Sequence, residues 1–458
     1  MKTSSKLCDA ADWFRPDIQE IITNELREVP RFHRKQWESA MIFLALRQLD
    51  KLRSDRIGLS MGGGKELILY AVAPHVRQLV VTDLYDTQTA WDCAKTDDPD
   101  AFIKQNKPFP VDDSKLKVLR MDMRDLHFPD RSFDFCYSTC AVEHIGRRED
   151  FLKHFNEVAR VLKDDGVYVF TTEVLYSDHT IKDEYNHVFS LNELNQIFAE
   201  SNLAPQEEFD ARITQHKINH PAPSNLKNLS HFDPELFTER FLQESPHIQL
   251  MRGMHPFTCG IFVMRKQSGS RLREPRVIGL ESSRKFMESG VDEYRNLLQH
   301  TSVSINPFSM LPGETSRFFA DHTEFLTQTD PKSLDPETVF HSDYFWLGAG
   351  QRTFDVTLDS SENDGSEIEL RIHRFQTLAS HRVDCVASTI VRIDKPGRRV
   401  VRIEITADEE NNYAILAKVR RGPCLFRGIE IKSYPTHLAP LQVAAVTADK
   451  SITEMISA

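Results

Sequence analysis

Residues 57–66 read Ile-Gly-Leu-Ser-Met-Gly-Gly-Gly-Lys-Glu. A short apolar run, Arg56 to Leu59, enters a glycine cluster, and a helical stretch from Glu66 to Val72 leaves it. Glycine lets backbone N–H groups approach a ligand closely, and a helix N-terminus favours negative charge beside it. Taken alone, three glycines describe a tight turn equally well. The next β-branched run, Gln78 to Thr82, is closed by Asp83. An acidic side chain about 20 positions after such a turn is placed to accept from ribose hydroxyls, the alternative being a plain surface carboxylate.

Working outward, further strands are expected at Leu116 to Met121, Phe133 to Ser138, Val167 to Thr171 and Phe257 to Met264. Between them, Glu149 to Leu162 and Leu191 to Glu200 carry apolar residues at helical spacing, the second with Ser190 and Glu193 placed as a capping box. Upstream, Ile18 to Leu26 and Gln36 to Leu52 also read as helices. Strands alternating with helices predict an α/β, doubly wound sheet whose ligands bind at the strands' C-terminal ends.

Beyond Lys266 the texture changes. Ser268 to Arg276 is polar and charged, as in a linker. From Thr338 on, runs of period-two alternation appear at Thr353 to Leu358, Glu367 to His373, Asp384 to Ile393, Arg399 to Ile405, Tyr413 to Val419 and Leu425 to Ile431. Turn signals such as Asn363-Asp364-Gly365 and Lys395-Pro396-Gly397 separate them, which predicts an antiparallel, jelly-roll-like β-sandwich. The expected organisation is a helical cap over 1–52, a catalytic domain over 53–267, a mixed linker over 268–337, the sandwich over 338–440 and a loose tail over 441–458.

Composition narrows the function. The 458 residues are 40% hydrophobic and 27% charged, with a net charge of −11, which argues against a general nucleic-acid binder. No apolar run approaches the length of a membrane span, and the N-terminus lacks the apolar core of a secretory signal. The seven cysteines are scattered without a C-x-x-C pair, the pattern of reduced thiols in a cytoplasm. Cys136 and Cys140 read as small buried residues and not as a zinc site, so no metal is expected.

The run from Met121 to Gly146, MDMRDLHFPDRSFDFCYSTCAVEHIG, resembles class I methyltransferases, which read D-x-x-x-L-P-F-x-x-x-S-F-D and then E-H. The succeeding Phe151 to Glu173 looks like their helix, lysine–glycine turn and strand. The resemblance covers roughly Phe32 to Lys266 and implies a Rossmann-like fold that uses S-adenosylmethionine. Arg34-Lys35-Gln36-Trp37-Glu38 together with Gly62 to Glu66 is closer still to bacterial type 11 methyltransferases of glycan and lipopolysaccharide clusters, which implies O-methylation of a sugar, polysaccharide or glycolipid precursor.

On that resemblance Ser60, Gly62, Gly64, Glu66, Asp83, Leu84, Asp122, Met123 and Ser138 line the cofactor, with Asp122 and Met123 at the adenine. Two positions depart from the pattern: Ser60 stands at the first glycine, and Gly58 replaces an acid that helps hold the cofactor's ammonium. Glu66 or Glu38 must then take over that role. Catalysis falls to His144 as general base, or to Glu173, both beyond strand ends; a structural histidine is the alternative for the first. Arg34, Trp37, His179 and His187 are candidate contacts to the acceptor, against a solvated helix end, a core tryptophan and exposed loop histidines. Tyr344 to Trp346 and His373 to Phe375 suit sugar faces, or else a sandwich core and a homo-oligomer interface. Two rivals stay open: a nicotinamide-dependent oxidoreductase, whose G-x-G-x-x-G fails at Leu67, and a non-catalytic glycan-binding or scaffold protein.

Overall fold

A computed structural model describes residues 5–440 except 88–91, 183–185, 222–245, 253–254, 268–275, 301–302, 306–324, 327–337, 343–344, 361–364, 376–382, 409–410 and 422–424. The expected linker from Ser268 to Pro275, the tail after Pro440, Tyr344, and Asn363-Asp364 therefore lie outside the described residues. The chain forms two compact units, whose main division falls between Glu288 and Ser289.

The first unit is built on one twisted sheet. Its strands are β1 (Lys6–Leu7), β2 (Ile57–Met61), β3 (Gln78–Asp83), β4 (Leu116–Arg120), β5 (Phe133–Thr139), β6 (Leu162–Leu175), β7 (Phe189–Ser190), β8 (Leu203–Pro205), β9 (Phe209–Asp210), β10 (Leu250–Arg252), β11 (His255–Lys266) and β12 (Val277–Ile278). The main path runs β12-β9-β1-β11-β6-β5-β2-β3-β4. Strands β4, β3, β2, β5 and β6 are parallel, and β11 returns antiparallel to β6. The chain moves outward from β2 to β4 and then crosses back to β5, so the topological switch point lies between β2 and β5. Central strands covered on both faces are apolar throughout, and every residue of β5 is buried.

The helix α1 (Arg148–Val161) shows why the pattern reads as it does: Phe151, Phe155, Val158 and Val161 recur at helical spacing and are buried against the sheet. Each such side chain contributes about 1.5–3 kcal/mol of burial. Asp134, the acid of the S-F-D motif, is 1% exposed and accepts from Arg56 at 2.9 Å, Lys163 at 2.9 Å and the Ile57 N–H at 2.9 Å. It clamps the N-terminal ends of the strands, far from the ligand end.

Two expected boundaries move. Residues 1–52 are no separate cap: β1 is a strand of the sheet, and the helix Arg34–Gln48 is buried continuously from Gln36 to Leu46. A helix apolar or buried all round belongs inside a domain. The first unit also extends beyond 267, taking in β12 and the start of the helix Leu280–His300.

The second unit holds two antiparallel sheets. Its strands are β13 (Val303–Ile305), β14 (Phe325–Leu326), β15 (Thr338–His341), β16 (Phe345–Leu347), β17 (Gly350–Ser360), β18 (Ser366–Phe375), β19 (Val383–Ile393), β20 (Gly397–Ala407), β21 (Asn411–Arg421) and β22 (Leu425–Pro435). The orders are β13-β22-β17-β20 and β15-β21-β18-β19, the interleaving of a jelly roll. Phe354, Val356, Leu370, Ile372, Ile415 and Ile431 sit in the core between them.

Candidate active site

The ligand end of the switch point is where the glycines lie. Gly62 and Gly64 take positive φ, +60° and +43°. A Cβ at Gly62 would fall 2.5 Å from the Cβ of Ala141, just beyond β5, and one at Gly64 would fall 2.7 Å from the Cys93 carbonyl. The two strand ends therefore meet at van der Waals distance only because glycine stands there. Asp83 closes β3 and accepts from the Gly64 N–H at 2.9 Å and the Leu84 N–H at 2.7 Å. Burial raises its carboxyl, against the pull of those N–H groups. Leu84 is 55% exposed, an apolar side chain left uncovered beside the carboxylate.

Gly58 explains the missing acid. A Cβ there would come within 2.2 Å of the Phe135 ring, so no carboxylate fits at that position. Glu66 is the nearby acid: it accepts from the Thr139 hydroxyl at the end of β5, and burial pushes it up to about 7.

A buried polar cluster continues across the ends of β5, β6 and β11. Glu38 is fully buried and accepts from Thr171 at 3.1 Å and from Cys259 at 3.0 Å. Lys35 at 3.4 Å and Arg34 at 3.5 Å are its cations. Burial would raise Glu38, but Lys35 and Arg34 outweigh it and hold the carboxyl below its usual range. Arg34 also pairs with Glu173 at 2.7 Å, whose second oxygen accepts from Asn186 at 3.2 Å. Glu143 is 1% exposed; Oε2 accepts from Thr172 at 2.8 Å, while Oε1 has no hydrogen-bond partner among the described residues. Burial first, and then the charge of Glu173, lift Glu143 to about 7. Four carboxylates thus share two cations, an arrangement that welcomes a positively charged ligand.

The residues singled out from the sequence divide accordingly. Gly62, Gly64, Glu66, Asp83 and Leu84 come together at the C-terminal ends of β2 and β3. Met123 joins them, its sulfur 4.0 Å from a Cβ placed at Gly62. Asp122 is beside them, but Arg124 grips both its oxygens, at 2.9 and 2.6 Å, and outweighs burial to lower its carboxyl. Arg34 and Glu173 meet as the ion pair above. His144 ends the short turn Val142–His144 and is partly exposed.

The others stand apart from this group. Ser60 is 1% exposed with its oxygen beneath the loop, 2.7 Å from a Cβ placed at Gly63, so it supports the turn from below. Ser138 is 1% exposed inside β5; strand alternation turns its neighbour Thr139 toward Glu66 instead. Trp37 is a core residue at 0% exposure, donating to Asp12 at 2.7 Å. His187 is buried against Phe151 and Phe189, ring centroids 5.1 and 5.7 Å away. His179 packs on His255 at 4.6 Å and lines a shallow depression with Arg148, Asp178, Lys182 and Glu193. Sequence reading missed Lys35, Thr139 and Glu143 as site residues. Glu143 stands one position before His144 in Ala-Val-Glu-His, a signal legible in the sequence.

The arrangement fits a nucleoside bearing a cationic, amino-acid-like end: an acceptor for the ribose, an exposed apolar side chain next to it, and surplus carboxylate at Glu66. Residues 59–170 match the family model described as "Methyltransferase domain". No curated protein matches the chain in sequence. Among solved structures, similar folds include a putative sarcosine dimethylglycine methyltransferase from Galdieria sulphuraria, at 16% identity over 55% of this chain and 98% of that one, with a TM-score of 0.34. Geranyl diphosphate C-methyltransferase from Streptomyces coelicolor is also similar, at 16% identity over 57% and 89%, TM-score 0.33. A methyltransferase from Clostridium acetobutylicum follows at 12% over 54% and 96%, TM-score 0.31. At such TM-scores these likenesses carry no weight of their own, and the family match does. Residues 59–170 are therefore similar to a methyltransferase domain.

Proposed function

We propose that the protein transfers a methyl group from S-adenosylmethionine to an oxygen of a sugar or polysaccharide precursor, in the cytoplasm. The observation that carries the transfer reading is the switch point, where Gly62, Gly64, Asp83, Leu84 and Glu66 converge within the segment similar to a methyltransferase domain. When bound, the cofactor supplies an activated methyl group on a sulfonium centre, so the protein's work is alignment and proton removal.

Asp83 would accept from the ribose hydroxyls and Leu84 would cover the base, with Met123 and Asp122 beyond β4 as further holders. Glu66, held by Thr139, takes the ammonium, and Lys35 lies close enough to the same carboxylates to take the opposing carboxylate group. The acceptor hydroxyl gives its proton to the Glu143–Glu173 pair. Glu143 suits this because its Oε1 is unpartnered and its carboxyl titrates near neutrality, where a general base works best. Arg34 fixes Glu173 beside it, and His144 stands at the rim as the alternative base. The jelly-roll unit, an architecture shared with lectins, supports a glycan acceptor.

Calorimetric titration with S-adenosylhomocysteine, with NAD and NADP as controls, tests the cofactor. Binding of S-adenosylhomocysteine alone, followed by methyl transfer to sugar-nucleotide or oligosaccharide acceptors seen by mass spectrometry, supports the reading. Cofactor turnover only with amine or carbon acceptors sinks the sugar assignment and leaves the methyltransferase.

A further inference from the structure

Beside the cleft, two cysteines distant in sequence meet. The sulfurs of Cys140 and Cys259 lie 3.3 Å apart across 119 positions of chain. Cys140 stands on the turn just beyond β5 with a left-handed φ of +42°, and Cys259 lies within β11, opposite Glu173 of β6. The sulfur pair therefore bridges over β6, the strand between β5 and β11. Cys140 is 6% exposed and Cys259 fully buried, so a small solute in the cleft reaches Cys140 first.

We propose that Cys140 and Cys259 are an oxidation site, forming an intramolecular disulfide in response to a peroxide and thereby disabling the cleft. Burial pushes both thiols up; against it the Arg34 guanidinium, with Nη1 2.9 Å from the Cys259 sulfur and 3.7 Å from that of Cys140, pulls the Cys259 thiol down. The Glu38 carboxylate accepts the Cys259 S–H at 3.0 Å. In the first step the Cys140 sulfur attacks the peroxide: an S–O bond forms, the O–O bond breaks, and the departing hydroxide leaves as water with the Cys140 proton. In the second, the Cys259 sulfur displaces the hydroxyl of the resulting sulfenic acid: the S–S bond forms, the S–O bond breaks, and a second water leaves with the Cys259 proton. Two thiols and one hydrogen peroxide give one disulfide and two waters.

Glu38, Cys140 and Cys259 also have the donor types of a metal site, all buried and within 4.8 Å of one another. Arg34 and Lys35 already occupy that neighbourhood with positive charge, which opposes a dication and favours the redox reading.

Closing the bond requires the sulfurs to approach by about 1.2 Å. Cys259 is fixed in a central strand, so the turn carrying Cys140 yields. That turn follows Thr139, which holds Glu66, and precedes Ala141, which touches Gly62; its N–H donates to the Thr171 carbonyl at 3.1 Å. Oxidation also removes the S–H that Glu38 accepts. The loss of cofactor affinity rests on the methyltransferase reading; the cross-link itself does not.

The test treats the reduced full-length protein with hydrogen peroxide, blocks remaining thiols with an alkylating agent, and maps peptides without reduction. A cross-link between the peptides bearing Cys140 and Cys259 is expected, together with S-adenosylhomocysteine affinity at least about tenfold weaker and restored by dithiothreitol. Cys140→Ser and Cys259→Ser should each abolish the cross-link and narrow the ratio between oxidised and reduced affinities to near one. Should either variant fail to fold, the wild-type peptide map alone decides. Absence of the cross-link, stepwise oxidation of Cys140 to sulfinic acid, or stoichiometric zinc protecting both thiols would each overturn the proposal. A cross-link with unchanged affinity overturns its functional half, whereas failure of both forms to bind S-adenosylhomocysteine would instead sink the methyltransferase reading.

Discussion

In the first unit Glu38, Glu143 and Glu173 are 0, 1 and 6% exposed and share their cations with Glu66. In the second unit the low-exposure acids are each met by their own arginines: Asp355 by a two-pronged Arg402 at 2.7 and 2.7 Å, and Glu369 by Arg371 at 2.8 Å and by Arg420. The second arrangement balances charge and holds a shape. The first leaves carboxylates short of cations and one oxygen without a partner, a state that costs stability unless a ligand completes it. Burial of charge by itself is common to both units; imbalance is what separates the Glu38–Glu66–Glu143–Glu173 cluster from these pairs.

The largest effect that sharpens this contrast is expected at Glu143. Glu143→Gln should lower kcat by about 10²–10⁴-fold while S-adenosylhomocysteine affinity stays within about twofold, by steady-state kinetics and calorimetry. An unchanged kcat would move the base to His144. Next is a core truncation in the other unit: Phe354→Ala should destabilise the sandwich by about 3–5 kcal/mol, read as a lower-melting transition, with cofactor affinity untouched. Affinity falling in step with that melting would break the contrast between a structural and a functional unit.

Third, Asp83→Asn, which keeps the shape and removes the charge, should weaken S-adenosylhomocysteine binding by about 1.5–3 kcal/mol, roughly 10- to 100-fold.

The smallest effect is in pH. Glu66 and Glu143 titrate near 7, above the usual carboxylate range, so their contribution to stability is full below about 4.5 and is lost as pH rises through about 7. A cationic ligand end prefers the ionised form of Glu66. Cofactor affinity should therefore climb about fivefold between roughly pH 6 and 8, and Glu66→Gln should flatten that climb. A pH-independent affinity in the parent protein would remove Glu66 from the ammonium site.

Much of the fold was legible because it rests on local periodicity. The six sandwich runs read from alternation fall inside the observed β17 to β22, and Leu191 to Glu200 is helical as expected, with Ser190 accepting from the Glu193 N–H at 3.2 Å. The glycine turn and Asp83 were equally local, a strand end and a loop in one stretch of chain. The boundary errors arose where tertiary packing overrides a local pattern. Residues 1–52 read as a cap from helical spacing, whereas β1 joins the sheet and the helix Arg34–Gln48 is buried from Gln36 to Leu46.

By itself the sequence determined the doubly wound sheet, the jelly roll and the glycine–acid half of the cleft, since hydrophobic period and turn chemistry act between near neighbours. Tertiary structure alone decided that Phe135 excludes an acid at Gly58, that Thr139 and not Ser138 meets Glu66, and that Cys140 finds Cys259. It also brought Arg34 to Glu173 and left Glu143 short of a partner. Those facts depend on which strands become neighbours at the switch point, and strand order across a sheet leaves no period in the chain.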